Sequence, residues 1–356
     1  MGKVKFSVWN MEWMNELFEG DPPRFRADDD KGYRSKHLIK ARREDLSGIL
    51  NHIDSDIWVI VEGPNQVSEL QLFFDDPNVN GDWKCAVQPS GAQSLGIAVR
   101  TDRANFADVP LTWYDVKTND EAESLRLATN EFQMDTDSDG LDEVHKFERT
   151  PIYATIHLKN GKEFRVLGLH LKSKGIFGNA LEWSKWWSRA DGNRKKIVAQ
   201  CFQLRQHFLN KYLQDNATKD IPLIVCGDIN DGPGFDTSEM RLQSSGIESL
   251  MGSVWHPNLC LGNAVFDALD AENREELDFR SLSTTSFRDP IFTGKYRKVW
   301  IDHILYSRTD TDWITEGTIS KSLPGEDGGK PVPFYKAFPT ASDHYPVSCL
   351  IDSDAL

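Results

Sequence analysis

No stretch of the 356-residue chain approaches the roughly 18 consecutive apolar residues that a membrane-spanning helix needs, so no such helix is expected. Cysteine is scarce and irregular. Five residues (Cys85, Cys201, Cys226, Cys260 and Cys349), odd in number and far apart, offer neither a disulfide framework nor zinc spacing. Cys226 and Cys349 sit in apolar runs and read as core residues, and a reducing, cytoplasmic setting is the expectation. Residues 1–6 enter a strand-like alternation without the apolar region of a signal peptide. Phe6 also stands where N-myristoylation wants Ser or Thr. Positive charge is short: 41 Lys and Arg face 55 Asp and Glu, for a net charge of −14. That balance opposes generic duplex binding by phosphate neutralisation, unless a bound dication or a local basic cluster reverses the sign. Repeats, low-complexity tracts and linker-like stretches are missing too. One domain over 1–356 is therefore expected, with loop insertions near 18–36, 115–147 and 172–194.

What is present is hydrophobic patterning, with 39% hydrophobic residues including 11 Trp and 19 Phe. Residues 3–9 alternate, with Val4, Phe6 and Val8 on one side, and read as a strand stopping at Asn10. Leu46, Ile49, Leu50 and Ile53 recur at helical spacing within 38–53. Residues 56–62 and 96–99 read as buried strands, the first closing on a carboxylate before Gly63-Pro64-Asn65. Strands over 150–158 and 162–169 flank Asn160-Gly161, a strong hairpin dipeptide, and the second ends at His170. A helix is expected over about 193–214. Residues 221–226 form another buried strand, stopped by Asp231-Gly232-Pro233-Gly234, and 299–306 and 345–351 complete the series. Strands mixed with a few long helices predict an α/β fold of two packed sheets covered by helices.

Polar residues collect where these strands stop: Asn10, Glu62, His170, Asp228 with Asn230, Asp302, and Asp343-His344. Taken singly, each serves a turn as readily as a site, since Asp and Asn commonly close strands. Side chains two apart on an extended chain point the same way, so Asp228 and Asn230 are expected to face one site, with Asp231 turned away to serve the turn. An acid that takes a proton from water then stands beside an amide that holds an oxyanion. Carboxylates with an Asn amide make a hard oxygen site suited to Mg²⁺ or Mn²⁺. Histidines can hold phosphate near neutral pH, and an Asp beside one favours the charged ring. Asp302, flanked by Ile301, Ile304 and Leu305, requires a buried partner.

The ordered set Trp9-Asn10, Ile60-Val61-Glu62, Gly168-Leu169-His170-Leu171-Lys172, Gly227-Asp228-Ile229-Asn230, Trp300-Ile301-Asp302-His303 and Ser342-Asp343-His344-Tyr345-Pro346-Val347 resembles the endonuclease/exonuclease/phosphatase superfamily. The resemblance runs from residue 9 to 347. It implies a DNase-I-like four-layer α/β sandwich, two packed mixed β-sheets flanked by helices, and a Mg²⁺- or Mn²⁺-dependent phosphoesterase working by in-line water attack. By that resemblance Glu62 is the principal metal ligand, with Asn10 and Asp343 close to the ion. Asp228 orients or deprotonates the water and Asn230 positions it or a phosphate oxygen. His344, oriented by Asp302, stabilises the phosphoryl group, and His170 contacts another phosphate oxygen or assists the leaving group. Arg149, before Thr150-Pro151, and Lys172 contact substrate phosphate.

Within the superfamily the chain looks most like bacterial DNase-I-like nucleases. Inositol polyphosphate 5-phosphatases carry an Arg where this chain has His303, and an aromatic and an Arg where it has Asp231-Gly232. AP endonucleases carry a Tyr-containing motif in place of Leu169-His170-Leu171-Lys172. Residues 172–196 hold Lys172, Lys174, Lys185, Arg189, Arg194, Lys195 and Lys196 against Glu182 and Asp191, interleaved with Phe177, Trp183, Trp186 and Trp187. Such a mixture suits a phosphate backbone with stacked bases, although the three Trp at i, i+3, i+4 read first as one packed helix face. An apolar rim would also serve a lipid phosphodiester. Nucleic acid is the expected partner and a lipid or other small phosphoester the alternative. A catalytically silent binding module is the third reading, disfavoured because no core site residue is missing. Asp135-Thr136-Asp137-Ser138-Asp139-Gly140 opens like a calcium loop, with Glu143 ninth. Lys146 replaces the closing Glu, which speaks against an EF-hand and leaves a looser Ca²⁺ loop or a solvated acidic turn.

Overall fold

The structure, a computed structural model, describes residues 2–91, 93–137, 139–176, 183–233, 242–288, 295–325 and 328–356. The first four sheet strands are β1 (Lys3–Asn10), β2 (Ile57–Gly63), β3 (Trp83–Gln88) and β4 (Ser94–Arg100). Six more follow: β5 (Phe106–Tyr114), β6 (Ile152–Leu158), β7 (Glu163–His170), β8 (Leu223–Asp228), β9 (Leu261–Asn263) and β10 (Asp302–Ser307). Strands β11 (Ile314–Ile319) and β12 (Val347–Asp352) come last. They form two six-stranded sheets, in the orders β11-β12-β1-β2-β4-β3 and β9-β10-β8-β7-β6-β5. Each sheet has one parallel pair at its centre, β1 with β2 and β7 with β8, and antiparallel pairs elsewhere.

Strand periodicity explains the layers. Val4, Phe6 and Val8 of β1, with Ile57, Val59 and Val61 of β2, meet Ile152, Ala154, Val166, Ile224, Cys226 and Ile304 from the other sheet in one buried core. The alternate residues Trp9, Trp58 and Ile60 point outward and are covered by α1 (Ile39–Ile53) and α2 (Val67–Phe74). On the far side Leu167, Leu169, Val225 and Leu305 pack under α3 (Glu123–Thr129), α4 (Trp183–Leu204) and α5 (Gly246–Met251). The chain thus forms the four-layer α/β sandwich expected from its sequence.

The eight interior strands coincide with those expected, to within three residues at any end. The strands that the hydrophobic pattern did not reveal, β3, β5, β9 and β11, are the four sheet edges. Edge strands carry solvated or irregular positions: β5 exposes Asp108 and Val109, and β11 breaks register between Thr315 and Thr318. The helix expected over 193–214 begins earlier, at Trp183, and continues through a π-helical turn (Arg205–Leu209) to Tyr212. Its first half is basic and contains Gly192, so its apolar periodicity is weak. The 115–147 insertion holds α3 and a small hairpin, Phe132–Met134 with Glu143–His145.

One glycine fixes the approach to the end of β8. Gly227 has φ +135°, and a Cβ there would lie 1.9 Å from the carbonyl oxygen of Leu169 on β7, its register partner. Backbone cannot yield as a side chain can. Gly227→Ala is expected to cost more than about 2 kcal/mol, measured by chemical denaturation; a wild-type midpoint would disprove the clash.

Candidate active site

Register places three polar side chains in a row. His170 ends β7, Asp228 ends β8 and Asp302 begins β10, with His170 opposite Asp228 and Asp228 opposite Asp302. All three are buried, at 4%, 3% and 1% exposure, so their polar atoms need partners from within the protein. The other sheet supplies some of them. Asn10 ends β1, and its Nδ2 donates to Asp228 Oδ2 at 3.1 Å and to Glu62 Oε1 at 3.4 Å. Its Oδ1 accepts from the Glu12 amide at 2.9 Å. Asn10 therefore sits beside the carboxylates as expected, but as a donor bridging them rather than as a third oxygen facing them. His170 Nε2 lies 3.7 Å from Asp228 Oδ2 and 3.8 Å from Glu62 Oε1, too far for hydrogen bonds.

Two local distortions aim the key side chains. Strand β2 changes register between Ile60 and Gly63, and Glu62 there has φ +58°. Such a bulge re-aims a side chain, and Glu62 Oε2 accepts from the Trp13 amide at 3.0 Å. Asn230 also has φ +58°, a conformation Asn tolerates better than most residues. Its amide N–H donates to Asp228 Oδ1 at 3.0 Å and its Nδ2 to the Leu171 carbonyl at 3.2 Å. Asp228 and Asn230 share the cleft as expected, but through a left-handed turn, because the strand already stops at Asp228. Of the eight non-glycine residues with positive φ among the described residues, four (Glu12, Trp13, Glu62 and Asn230) line this cleft.

His344 closes the site from the segment before β12. Its Nδ1 is 2.8 Å from Asp302 Oδ2, and its Nε2 is 3.9 Å from Oδ1 of the exposed Asp343. The segment is fastened to both sides. Trp9 Nε1 donates to the His344 carbonyl at 2.9 Å, Ser342 Oγ to the Asn10 carbonyl at 2.7 Å, and Thr285 Oγ1 to the Asp343 carbonyl at 2.7 Å.

The charges are strongly coupled. Burial disfavours the His344 cation, but the charge and hydrogen bond of Asp302, with Asp343 and Asp228 beyond, hold its pKa well above the ordinary value. Burial and Asp302 push the Asp228 carboxyl up to about 7; His344 opposes them and Glu62 adds to them. Glu12 also rises to about 7, through burial and Asp343, with Arg42 opposing and Glu62 adding. His170 is held well below its ordinary value by burial, then by Arg149, His344 and Lys172.

These carboxyls surround a cleft of about 500 Å³ that Glu12, Glu62, Asp228 and Asp343 line together. Two of them are driven towards neutrality by burial and by neighbouring carboxyls, and Asp302 Oδ1 has no hydrogen-bond partner among the described residues. Ligand atoms of Asp228, Asp302 and His344 lie within 4.8 Å of one another. Clustered hard oxygens with unrelieved negative charge fit a divalent cation. Glu12, Glu62, Asp228 and Asp343 are the carboxyls that such an ion would meet in the cleft.

The remaining expectations divide. Arg149 lines the cleft, with Nη2 2.5 Å from Gln93 Oε1 and Nη1 3.3 Å from the Leu171 carbonyl. Lys172 lines a neighbouring recess instead. Asp231 serves structure: Oδ1 accepts from buried Lys174 at 3.0 Å, and Oδ2 from the first amides of α5, Gly246 and Ile247, at 2.6 and 3.2 Å. In the acidic loop, Lys195 Nζ lies 2.6 Å from both Asp137 Oδ2 and Glu143 Oε1, while Asp135 accepts from the amides of Asp137, Asp139 and Gly140. An ammonium thus stands among the carboxylates that a calcium ion would use. Trp186 and Trp187 are half-buried and pack edge-on against each other at 6.5 Å; Phe177, Glu182, Ser138 and the Trp183 side chain lie outside the described residues.

The cleft has further lining residues that the sequence reading missed: Glu12, Trp13, Arg34, Gln93, Phe287 and Arg288. Glu12 was open to the two-apart reasoning applied to Asn230. Phe287 and Arg288 come from a short ribbon, Thr285–Arg288 with Tyr296–Val299, whose sequence carries no comparable signal.

No protein-family profile matches the chain, and no curated protein does. Solved structures do resemble it. The TDP2 of Caenorhabditis elegans has 11% identity, with 99% of this chain and 75% of that chain covered and a TM-score of 0.49. A mannosyl-6-phosphatase of Bacteroides thetaiotaomicron has 13% identity over 98% of this chain and all of that one, at 0.47. An endonuclease/exonuclease/phosphatase family protein of the same bacterium has 12% identity over 99% and 96%, at 0.48. Likeness at this level says nothing of which reaction the chain performs, so its chemistry rests on its own residues.

Replacing Asp302 by Asn keeps the shape and removes the charge facing His344. The His344 pKa is then expected to fall back towards the ordinary range, followed by NMR titration of the ring protons. An unchanged titration would show that the pair is not what charges the ring.

Proposed function

We propose that the chain is a divalent-metal-dependent phosphodiesterase that hydrolyses nucleic acid. The observation that carries this reading is the buried Asp228 carboxyl, held between Asn10 and the Asn230 amide and facing a cleft that His344, paired with Asp302, also lines. A carboxyl raised to about 7 is a stronger base than an ordinary one and is matched to neutral pH. Asp228 takes a proton from water; the water oxygen bonds to phosphorus as the ester P–O bond breaks. The charged His344 ring, oriented by Asp302, holds the phosphoryl oxygens as negative charge grows. Asn230 keeps Asp228 and the water in place. His170, kept neutral, donates to another phosphoryl oxygen or to the departing one. A Mg²⁺ or Mn²⁺ ion on Glu62 and Asp343, beside Asp228, would polarise the phosphoryl group and lower the pKa of the base.

Arg34, Arg149 and Arg288 line the cleft with Trp13 and Phe287. Guanidinium groups pair with phosphate oxygens in two-pronged fashion, and aromatic faces stack on bases. That lining favours a nucleotidyl phosphodiester over a lipid, whose chains want continuous apolar surface. The style of the strand-end motifs, nearest to bacterial DNase-I-like nucleases, supports the same substrate. In this reading 1–356 is one catalytic domain, since its first sheet takes strands from both ends of the sequence. The five unpaired cysteines suit a reducing, cytoplasmic setting.

The decisive measurement is turnover on single- and double-stranded DNA, RNA, sphingomyelin and a nitrophenyl phosphodiester, each with Mg²⁺, Mn²⁺, Ca²⁺ or chelator. Nucleic acid with Mg²⁺ or Mn²⁺ is the expected pairing, and turnover of lipid alone would overturn it. Asp228→Asn should lower kcat by about 10³-fold or more with little change in substrate binding. Near-wild-type kcat would remove Asp228 as the base.

A calcium ion in the 135–143 loop has to displace Lys195. Lys195→Met is therefore expected to gain a larger rise in thermal midpoint from millimolar calcium than the wild type does. Equal shifts would mean that the ammonium does not guard the loop.

A further inference from the structure

Beside the cleft lies a second recess, of about 340 Å³, lined by Lys172, Arg189, Asn193 and Lys196 with Gly175 and Gly192. Among the described residues no carboxylate lines it, on a chain whose net charge is −14. Gly175 lines both cavities, so the recess opens beside the cleft. Lys172 lies near enough to the catalytic row to depress the pKa of His170 together with Arg149. Its own pKa is lowered by burial and by the neighbouring Arg149 and Lys196, with Glu148 opposing.

The helix face is specific. Arg189, Asn193 and Lys196 are spaced i, i+4, i+7 along α4 and share one side. Their neighbour Lys195 is turned to the acidic loop, where Asp137 and Glu143 hold it. Asn193 Nδ2 donates to the Gly175 carbonyl at 2.8 Å and ties the helix to the loop between the two cavities. Arg189 is exposed, and Lys196 has only a loose contact, 4.0 Å, with Glu148. Glu148 acts on Lys172 as well as Lys196 and offsets part of this charge, and the three cations still leave the recess net positive, which is the arrangement that takes up an anion.

We infer that this recess is a second phosphate subsite, holding the phosphate next to the scissile one in the same substrate. The proposal rests on the phosphodiesterase reading of the cleft and deepens it: the preferred substrate carries at least two phosphates, one in the cleft and one on Lys172, Arg189 and Lys196. The shared chemistry is a chain of phosphates, supplied either by a nucleic-acid backbone or by a free polyphosphate.

Binding separates these cases without relying on turnover. Asp228→Asn protein with Mg²⁺ is titrated with a thymidine dinucleotide (one phosphate), a trinucleotide (two phosphates), inorganic phosphate and tripolyphosphate. The trinucleotide is expected to bind at least about tenfold more tightly than the dinucleotide. Adding Arg189→Ala with Lys196→Ala should abolish that step while leaving dinucleotide affinity within about twofold. Gly192→Asp is the second variant. A Cβ at Gly192 meets nothing within 4 Å, so a carboxylate enters the recess without a clash, and the same selective loss is expected from a folded protein. A step seen only between phosphate and tripolyphosphate keeps the subsite and sinks the nucleic-acid reading. The subsite itself is overturned by a step that survives both variants, by equal weakening of the one- and two-phosphate ligands, or by no step in either series.

Discussion

Asp228 and Asp302 face each other across adjacent antiparallel strands, and both are withdrawn from water. Two like charges so placed repel, and burial removes the solvent that would otherwise screen them. The surroundings answer that repulsion. His344 pairs with Asp302, while Asn10 and the Asn230 amide donate to Asp228. Much of the site's geometry follows from this need: the segment before β12 is fastened to Trp9, Asn10 and Thr285 and so keeps its imidazole against Asp302. What remains uncompensated is acidity at the cleft itself, where burial and neighbouring carboxyls raise Glu12 and Asp228 to about 7.

The two sheets share a plan, with a central parallel pair between antiparallel neighbours. A parallel pair brings the carboxyl ends of two strands to the same edge, and face-to-face packing brings both such edges together. Asn10 and Glu62 come from one pair, His170 and Asp228 from the other. Neither sheet holds the site alone. Backbone strain concentrates at the same junction, in Glu12, Trp13, Glu62 and Asn230, which agrees with the tendency of strained residues to mark functional positions.

The interior of the fold was legible because buried strands show as apolar runs that stop abruptly at polar residues. The four edge strands were not, because one of their sides meets solvent or irregular structure and the alternation fades. In the site, the strand-end residues were visible from type and position, and register then brought them together. The role of Asn10 as a donor was hidden, since an amide offers either atom and only its neighbours decide. The basic segment reads as a single patch in sequence, whereas the fold divides it: Arg189 and Lys196 share a recess with Lys172, while Lys195 turns to an acidic loop. Phe287 and Arg288 could not be found, because a four-residue ribbon strand leaves too short a pattern.

Strand β1 pairs along its length with β12, more than 330 residues later, as well as with β2. During synthesis β1 leaves the ribosome more than 330 residues before this neighbour. Until that neighbour emerges, Ser7 lacks the Ser348 hydroxyl 2.7 Å away, and Asp302 lacks the imidazole that neutralises it. The nascent chain therefore has an open sheet edge where β12 belongs. Pairings this distant also fold slowly. The cleft cannot be completed before the segment that carries His344 has emerged, and a partly made chain has no assembled centre with which to act.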